Sequence, residues 1–387
     1  MKVYYISPST IPSRSANSIH VVNMCEGLNQ LGYEVVLFAH SNSCNSLNCQ
    51  KQLKNIYGVD NRKINLKVFH SKKNRGIEFI IALRALIYFT LDFIKNTEPQ
   101  YIISRNLYAA TFLGLLFRRN VIYETHSPEY GFRKKLQKWL LTSNKIKMVV
   151  ISEALKKIIQ NFHHISSENI YVFHDAARSG QLRLDLLQRT ELKRQLLSNK
   201  FDLDDYEKVI GYFGHLYSGR GIEIIEELAK QNSWCAFIVY GGNEADIREY
   251  KIRNTNKNLF FMGYIHPKKA RKAMAMMDVL LMPYQKSVSI GIKGIDTSKW
   301  MSPMKLFEYL SVGVPIISSN ISVLKEVLID SENCLLVEPD DVNAWSDALQ
   351  RIISNVELEE KLGFNAHSLY KDKYTWKHRA KDMLDLL

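Results

Sequence analysis

Short apolar runs that alternate with helical stretches limit the possible folds more than any other feature of this chain. The runs are apolar on both faces, as in strands of a parallel sheet with helical crossovers, and they restart after a polar junction at about residues 176–206. The pattern predicts an α/β protein with two doubly wound, Rossmann-like domains facing a central cleft, and ligands at the carboxyl ends of the strands. The predicted strands are residues 2–7, 34–39, 101–104, 121–124, 148–152 and 170–173, then 209–214, 235–241, 259–264, 279–284, 314–319 and 334–338.

Length and cysteine content agree with two domains inside the cell. At 387 residues the chain exceeds the roughly 250 to 300 residues at which single cores usually split. It starts with a strand and lacks the basic and apolar regions of a signal peptide, so we expect a cytoplasmic location. The five cysteines show no CxxC spacing, which favours reduced thiols over a disulfide framework or a zinc knuckle. They are Cys25, Cys44, Cys49, Cys235 and Cys334.

The positive charge is concentrated in the first half. The net charge is +13, and residues 1–180 carry 24 basic and 11 acidic side chains, against 28 and 28 in the remainder. Such a half attracts nucleic acid, anionic lipid headgroups or a phosphorylated acceptor. Basic and apolar residues are mixed in 112–119 and 132–141, which fits either a membrane-surface helix or an ordinary half-buried helix.

Two other uses of a basic, apolar half are disfavoured. Recognisable nucleic-acid-binding motifs are missing, and the basic residues do not form one stripe, so we expect no nucleic acid partner. The apolar segment 77–95 is interrupted by Arg84 and Asp92, so it fails the criterion for a membrane span. We predict that it is a core helix.

Two segments of the second half suit a nucleotide diphosphate. The glycine-rich turn 214–221 follows a strand and places Arg220 at the entrance to a helix, where backbone amides and a guanidinium can bind pyrophosphate. In 302–317, Lys305 and Glu308 are three residues apart on one helix face, so they can serve phosphates and ribose hydroxyls. The alternatives are a plain turn with an exposed arginine and a solvated surface pair.

Motifs for other chemistries are missing from the sequence. The fingerprints G-x-G-x-x-G and G-x-x-x-x-G-K-[ST] do not occur, which argues against a dehydrogenase or an ATPase. The one Asp-x-Asp string, Asp202-Leu203-Asp204, lies in the polar junction, where a solvated turn is the simpler interpretation. We therefore expect no metal site and no cofactor.

The order of the second-half segments resembles a known family. The turn 214–221, the GYI at 263–265, SPMKLFEYLSVGVPIISS and ENCLLVEPDD are similar to the second domain of the retaining, GT-B-fold glycosyltransferases of family 4. In the first half, LGYEVVLF, the ETH at 124–126 and VVISEALKKII followed by VFHDA resemble that family's first domain. The final YTWKHRAKDMLDLL resembles its terminal helix, which crosses back onto that domain.

The resemblance implies two domains and a set of site residues. Residues 1–178, with the terminal helix 371–387, form the acceptor-side domain, and residues 179–370 bind the nucleotide sugar. His126 matches the family's active-site histidine. Arg220 matches the residue that binds the donor diphosphate, and Glu308 matches the glutamate that holds the ribose. The donor-binding residues implied in this way are Gly214, Arg220, Met304, Lys305 and Glu308.

The sequence departs from the family pattern at three places. The first glutamate of the motif, which usually grips the donor hexose, is replaced by Trp300, and Asp296 is a possible substitute. The Gly-Gly of the first loop is Ser15-Ala16, which we keep as possible site residues. The arginine of the usual Gly-Arg-Leu is His215.

The resemblance implies an enzyme of surface-polysaccharide synthesis, for capsule or lipopolysaccharide. It predicts a metal-independent, hexosyltransferase-like enzyme that moves a sugar, with retention, from a nucleotide sugar to a glycan or lipid-linked acceptor. A peripheral position at the inner face of the membrane follows from the basic half. The alternatives are a sugar-nucleotide epimerase or phosphorylase of the same fold, and a catalytically silent nucleotide-binding homologue.

Overall fold

The computed structural model divides the chain into two compact units. The first unit comprises Met1–Ala176 and Tyr374–Leu387, and the second comprises Ala177–Lys373. Each contains its own parallel sheet. The residues that the structure describes are 1–42, 45–59, 64–71, 76–95, 100–166, 168–180, 183–198, 202, 204–289 and 296–387.

A sheet of seven parallel strands forms the centre of the first unit. The strands are β1 (Lys2–Thr10), β2 (Glu34–Ser41), β3 (Ile64–His70), β4 (Gln100–Ser104), β5 (Val121–Thr125), β6 (Ile146–Val150) and β7 (Ile170–Val172). Their spatial order is β3-β2-β1-β4-β5-β6-β7, so the direction of winding reverses between β1 and β4. Ligands of doubly wound sheets bind at that reversal, outside the carboxyl ends of the strands.

The sequence pattern missed only β3 in this sheet. Its segment, INLKVFH, alternates buried and half-buried positions, and it lies at the edge of the sheet. The polar Asn65 and Lys67 interrupt its apolar residues, because one face of an edge strand remains partly solvated. The expected continuous apolar run is therefore absent there.

In the described part of the first unit, six helices and one π-helical segment surround this sheet before the junction. The helices are α1 (Ala16–Gln30), α2 (Ser46–Tyr57), α3 (Ile77–Lys95), α4 (Leu107–Ala110), α5 (Phe132–Leu141) and α6 (Glu153–His163). The π-helical segment, Thr111–Leu116, directly follows α4. Side-chain caps start several of these helices, as where Ser152 accepts the Leu155 amide at the start of α6.

The prediction that residues 77–95 form a core helix is wrong for one face of α3. Ile81, Ala85 and Phe89 are buried, whereas Leu83 and Ile87 are 44% and 52% exposed. The helix is apolar on all sides, so the sequence pattern alone could not tell that only one side is covered. In the part of the chain that the structure describes, none of the helices combines the length and the apolar character that a membrane span requires.

The second unit contains a sheet of six parallel strands, and all six correspond to predicted strands. They are β8 (Lys208–Phe213), β9 (Cys235–Tyr240), β10 (Leu259–Gly263), β11 (Val279–Met282), β12 (Ile316–Ser319) and β13 (Leu335–Val337). The spatial order β10-β9-β8-β11-β12-β13 reverses between β8 and β11. The loops after these two strands therefore form the expected ligand-binding edge.

Among the described residues of the second unit, seven helices pack around this sheet. They are α7 (Leu186–Leu197), α8 (Ile222–Gln231), α9 (Glu244–Arg253), α10 (Pro267–Ala275), α11 (Met304–Val312), α12 (Val342–Ile353) and α13 (Val356–Lys373). Trp345 of α12 is fully buried in the core, and its indole donates a hydrogen bond to the Glu338 carbonyl at 3.0 Å. That bond satisfies the polar group of a large apolar side chain.

The last helix, α14 (Trp376–Leu384), belongs to the first unit. It packs closely against α1, where a side chain at Gly27 would collide with the Trp376 carbonyl. The small residue therefore allows the end of the chain to complete the first unit.

The cysteines are only partly as expected. Cys25, Cys235 and Cys334 are buried free thiols. Cys49 is disulfide-bonded, so the expectation of reduced thiols is wrong for this residue, and Cys44 lies outside the described residues. An odd number of cysteines still leaves room for a single bridge.

Candidate functional site

The turn after β8 is shaped by glycines. Gly219 and Gly221 have φ angles of 81° and 79°, a region that favours glycine. A Cβ atom at Gly219 would collide with the Ser287 carbonyl, and one at Gly221 with the Pro283 carbonyl. The absence of side chains at both positions lets this turn pack directly against the loop after β11.

Arg220 is held between these two glycines by the loop after β11. Its guanidinium donates one hydrogen bond to the Tyr284 hydroxyl at 3.0 Å and another to the Ser289 carbonyl at 3.2 Å. The buried Nε atom has no hydrogen-bond acceptor among the described residues. The cation is thus oriented at the start of α8, where the helix dipole also favours an anion.

Lys305 lies on the first turn of α11 and faces the same tyrosine. Its Nζ atom is 4.6 Å from the centre of the Tyr284 ring and 4.1 Å from that of Tyr212, so both rings provide cation–π contacts. In the described part of the chain Nζ is buried without a hydrogen-bond partner. Burial, and next the charge of Arg220, lower the pKa of Lys305 well below its usual value.

Glu308 follows one turn later on α11 and is half-buried. Burial raises its pKa to about 7, although the charges of Arg178, Arg271 and Lys305 partly oppose this shift. In this environment, any hydrogen-bond donor that a ligand supplies would stabilise the ionised carboxylate. A solvated surface pair, the alternative interpretation of Lys305 and Glu308, is therefore not what the structure contains.

The structure brings several predicted residues of the second unit together. Gly214 directly follows β8 and lies beside Lys305, since a Cβ atom there would lie 3.2 Å from Nζ. Arg220 and Lys305 converge on Tyr284, and Met304 is half-buried as the first residue of α11. These groups offer two cations, a helix N-terminus and a carboxylate.

Asp296 has a different setting. One of its carboxylate oxygens accepts the backbone amides of Val288 and Ser298, both at 2.9 Å. These hydrogen bonds lower its pKa, although burial opposes the shift. In this structure Asp296 fixes the end of a loop, and its role toward a donor sugar stays a prediction.

The junction string Asp202-Leu203-Asp204 has no site geometry in its described part. Asp202 and Asp204 are exposed, and the Asp202 side chain accepts the Asp204 amide at 3.0 Å, as in a solvated turn. Leu203 lies outside the described residues.

In the first unit, His126 follows β5 and contacts a buried carboxylate. Its Nε2 atom is 3.0 Å from the Oε1 atom of Glu124, and 28% of its side chain is exposed. Burial, and next the charge of Arg105, lower the pKa of His126 to about 4, although Glu124 opposes the shift. The imidazole is therefore neutral at pH 7 and can both donate and accept one hydrogen bond.

Glu124 is the centre of a buried network in which only His126 had a role predicted from the sequence. Its Oε1 atom is 2.7 Å from His20 Nε2 and 3.0 Å from the Arg379 guanidinium, and its Oε2 atom accepts the Tyr5 hydroxyl at 2.9 Å. His20 Nδ1 in turn lies 2.8 Å from Asp175. Although burial opposes it, Arg379 and next His20 hold the pKa of Glu124 well below its usual range.

The only sequence signals for this network were the strings ETH and HDA. His20 lies on α1 and Arg379 on α14, and neither stands in a distinctive motif. Their partners are more than 100 residues away along the chain. Only the packing of α1 on the sheet and of α14 on α1 brings them to Glu124.

His20, Glu124 and His126 also have the composition of a metal site. One ligand atom from each lies within 4.8 Å of the others. Two imidazoles and a carboxylate are ligands that zinc accepts. The Arg379 guanidinium, however, is hydrogen-bonded to the same Glu124 oxygen, so a cation already neutralises this carboxylate. We assign no metal here, and a metal-free reaction stays a prediction.

Ser15 and Ala16 lie at the start of α1, on the loop that follows β1. The Ser15 side chain accepts the Ser18 amide at 3.3 Å and caps the helix, and Ala16 is its exposed first residue. Both lie near the reversal of the first sheet, and their contact with a ligand stays a prediction.

Sequence comparisons divide the chain in the same way as the two sheets. Residues 18–176 match the family described as Glycosyltransferase Family 4, and residues 207–355 match the family described as Glycosyl transferases group 1. An uncharacterised glycosyltransferase of Methanocaldococcus jannaschii is 20% identical over 64% of this chain and 61% of its own length. The capsular polysaccharide biosynthesis glycosyltransferase CapM of Staphylococcus aureus is 22% identical over 59% of this chain and 57% of its own length. The matched regions therefore span less than two thirds of these two relatives.

Solved structures extend the likeness in fold to the whole chain. HepE of Anabaena, crystallised in complex with UDP, superimposes with a TM-score of 0.72 over 100% of this chain and 99% of its own, at 12% identity. The match shows the arrangement of elements that both chains share. The chain therefore has the GT-B fold, and each of its two units contains a region that matches a glycosyltransferase family.

Proposed function

We propose that this protein transfers a sugar from a nucleotide sugar to a hydroxyl group of a glycan or lipid-linked acceptor, in the synthesis of a cell-surface polysaccharide. The observation that carries the proposal is the pair of basic side chains on the second unit. Arg220 and Lys305 both contact Tyr284 at the reversal of the sheet, and Lys305 has no hydrogen-bond acceptor among the described residues. A diphosphate would supply that acceptor.

The leaving group determines what these residues would do. Breaking the bond between sugar and phosphate leaves a diphosphate whose negative charge grows in the transition state. Arg220, Lys305 and the N-terminal amides of α8 and α11 would stabilise that charge, because they are fixed in place before the reaction. Glu308 would accept hydrogen bonds from the ribose hydroxyls. In this proposal no metal ion is needed.

His126 would act on the sugar as a neutral group. With a pKa of about 4 it can hydrogen-bond to a sugar hydroxyl without adding a positive charge. Glu124 holds one of its ring nitrogens and so sets the direction of the other. We propose transfer with retention, in which the acceptor hydroxyl attacks on the face that the phosphate leaves.

The relatives guide the choice of substrates to test. CapM is named for capsular polysaccharide biosynthesis, and structures of HepE contain UDP and UDP-glucose. UDP is therefore the first nucleotide to try. A basic first half also supports a peripheral position at the inner face of a membrane, where lipid-linked acceptors are found.

The experiment that tests the proposal is nucleotide binding to the full chain. Thermal unfolding should shift upward with one of UDP, GDP, CDP or ADP, because a ligand of the folded state raises its stability. Arg220→Ala should remove the shift, and Arg253→Ala, at an exposed ion pair with Glu226, should keep it. If no nucleotide shifts the transition of the wild type, the proposal is wrong. Mass spectrometry of the matching sugar nucleotide without acceptor then separates transfer from epimerisation.

A further inference from the structure

The helix α3 presents an apolar stripe to solvent. Ile80, Leu83, Ile87, Leu91 and Ile94 are exposed over 36% to 75% of their surfaces. Their spacing of three and four residues places all five on one side of the helix, because an α-helix has 3.6 residues per turn. Contiguous apolar surfaces of this kind mark interaction sites in folded proteins.

The neighbouring elements extend this stripe with further apolar and aromatic side chains. The π-helical segment packs against both α3 and α5. At its end Leu116 and Phe117 are exposed, and on α5 so are Phe132 and Trp139. We call the five α3 residues and these four residues the apolar face.

Positive charge surrounds the apolar face. Arg118, Lys135 and Lys138 are exposed, and the Arg119 guanidinium lies 3.9 Å from the centre of the Phe93 ring on α3. The nearby carboxylates form ion pairs within the unit, and one uncompensated negative charge remains because two of them share Arg133. Glu78 and Glu129 pair with Arg133, and Asp92 pairs with Lys2 at 2.9 Å. The rim is therefore basic.

We propose that the apolar face docks onto an anionic lipid bilayer, with α3 lying in the plane of the interface. The charge pattern selects this occupant, because lysines and arginines around an apolar patch attract anionic headgroups while the apolar side chains enter the acyl boundary. Tryptophan and other aromatic side chains favour the same depth. A second copy of the chain would instead bring two basic rims together.

The inference deepens the proposed function and rests on it for its purpose. A lipid-linked acceptor is presented at the membrane surface, so a transferase held there by its first unit would meet acceptor at high local concentration. The binding itself can be measured without any sugar nucleotide. Failure of docking and failure of transfer are therefore distinguishable.

The first test is sedimentation of the full chain with phosphatidylcholine vesicles that contain phosphatidylglycerol. The double variant Ile87→Ser and Leu91→Ser should lower the partition coefficient about tenfold or more, since two aliphatic side chains no longer leave water. The matched control, Leu47→Ser with Ile252→Ser, changes two side chains that are 70% and 85% exposed elsewhere, and should bind as the wild type does.

The second test changes charge and not apolar area. Lys135→Glu with Lys138→Glu should weaken binding on the order of tenfold, and the loss should be smaller at high salt, because salt screens the headgroup charge. Lys51→Glu with Lys54→Glu on α2 is a control with the same spacing, and it should have little effect. Vesicles of phosphatidylcholine alone should bind the wild type weakly.

Three results would overturn the inference. They are the absence of binding to anionic vesicles, equal binding by the variants and their controls, and a dimer in solution that the Ile87 and Leu91 changes dissociate. The nucleotide-dependent thermal shift is measured on the same proteins without vesicles. A retained shift in the variants shows that the second unit is folded, and an unchanged unfolding transition without nucleotide shows that the first unit is folded too, so that only docking was lost.

Discussion

At the scale of single residues, the most informative pair is Lys305 and Glu308. Burial lowers the pKa of the lysine and raises that of the glutamate, so both charged forms are disfavoured in the structure described here. A residue whose charged form is destabilised by burial is a candidate for ligand binding. A diphosphate would stabilise the charged form of Lys305, and a pair of hydroxyl groups would stabilise that of Glu308.

We expect Lys305→Met to weaken binding of the nucleoside diphosphate while the protein remains folded. The variant loses a charge-assisted hydrogen bond, at a cost of about 1.5 to 3 kcal/mol of binding free energy. Titration calorimetry measures the change. Lys286→Met, at an exposed lysine paired with Asp340, is the control and should bind normally. Equal affinities in the two variants would exclude a phosphate contact by Lys305.

The raised pKa of Glu308 predicts how stability depends on pH. Its folded-state pKa of about 7 lies above the ordinary value of 4.5, so its contribution is fully present below pH 4.5 and is lost as the pH rises through 7. We therefore compare the free energy of unfolding of Glu308→Gln with that of the wild type at each pH. The difference should favour the variant more at about pH 8 than at about pH 5. Urea unfolding at both values measures this, and a pH-independent difference would contradict it.

At the scale of elements, the packing of the turn after β8 against the loop after β11 positions Arg220. Apolar runs predicted all six strands of the second sheet, because the four inner strands are almost entirely buried and the edge strands β10 and β13 still alternate buried apolar residues with half-buried ones. The contact between the two loops depends on backbone atoms, and the periodicity of apolar residues carries no information about them. The glycines at 219 and 221 indicated a turn in the sequence. The carbonyl groups that a side chain at either position would meet could not be predicted from it.

We expect Gly221→Ala to destabilise the protein and to weaken nucleotide binding together. The residue has a φ of 79° and no room for a Cβ atom beside Pro283, so the turn that carries Arg220 must move. Gly76→Ala is a matched control, since its φ is 80° and nothing lies within 4 Å of a Cβ atom there. The control should lose only about 1 kcal/mol from conformational strain. Unfolding experiments and calorimetry on both variants measure the losses of stability and of nucleotide affinity. Equal losses in the two variants would contradict the steric argument.

At the scale of the whole molecule, the end of the chain completes the first unit. Arg379 on α14 contacts Glu124 at 3.0 Å and donates to the His174 carbonyl at 3.0 Å. It is therefore a counter-ion for the carboxylate that holds His126. This arrangement links the last helix to the candidate catalytic histidine.

Arg379→Met should destabilise the first unit by about 3 to 5 kcal/mol, because it leaves a buried carboxylate without its cation. Adding Glu124→Gln should recover part of the loss, since the uncompensated charge is then removed. Lys377→Met, at an exposed position of the same helix, is the control. Urea unfolding measures all three, and a control as unstable as Arg379→Met would show that the helix and not the charge matters.

A metal-free site predicts that chelation changes nothing. Nucleotide binding and sugar transfer should be the same before and after EDTA treatment, because Arg220 and Lys305 supply the positive charge that a metal would otherwise provide. Calorimetry and a turnover assay with the chelated protein check this. Loss of either property, with recovery on adding Mg²⁺ or Mn²⁺, would contradict the prediction.

The sequence by itself determined the two parallel sheets and the placement of Arg220, Lys305 and Glu308 on a strand-to-helix turn and on one helix face, because apolar periodicity and glycine spacing are local properties. Tertiary structure decided the rest. It left one face of α3 exposed, and it brought His20 and Arg379 to Glu124. Burial and contacts between distant segments depend on how elements pack, and a helix that is apolar on all sides carries no mark of which side will be covered.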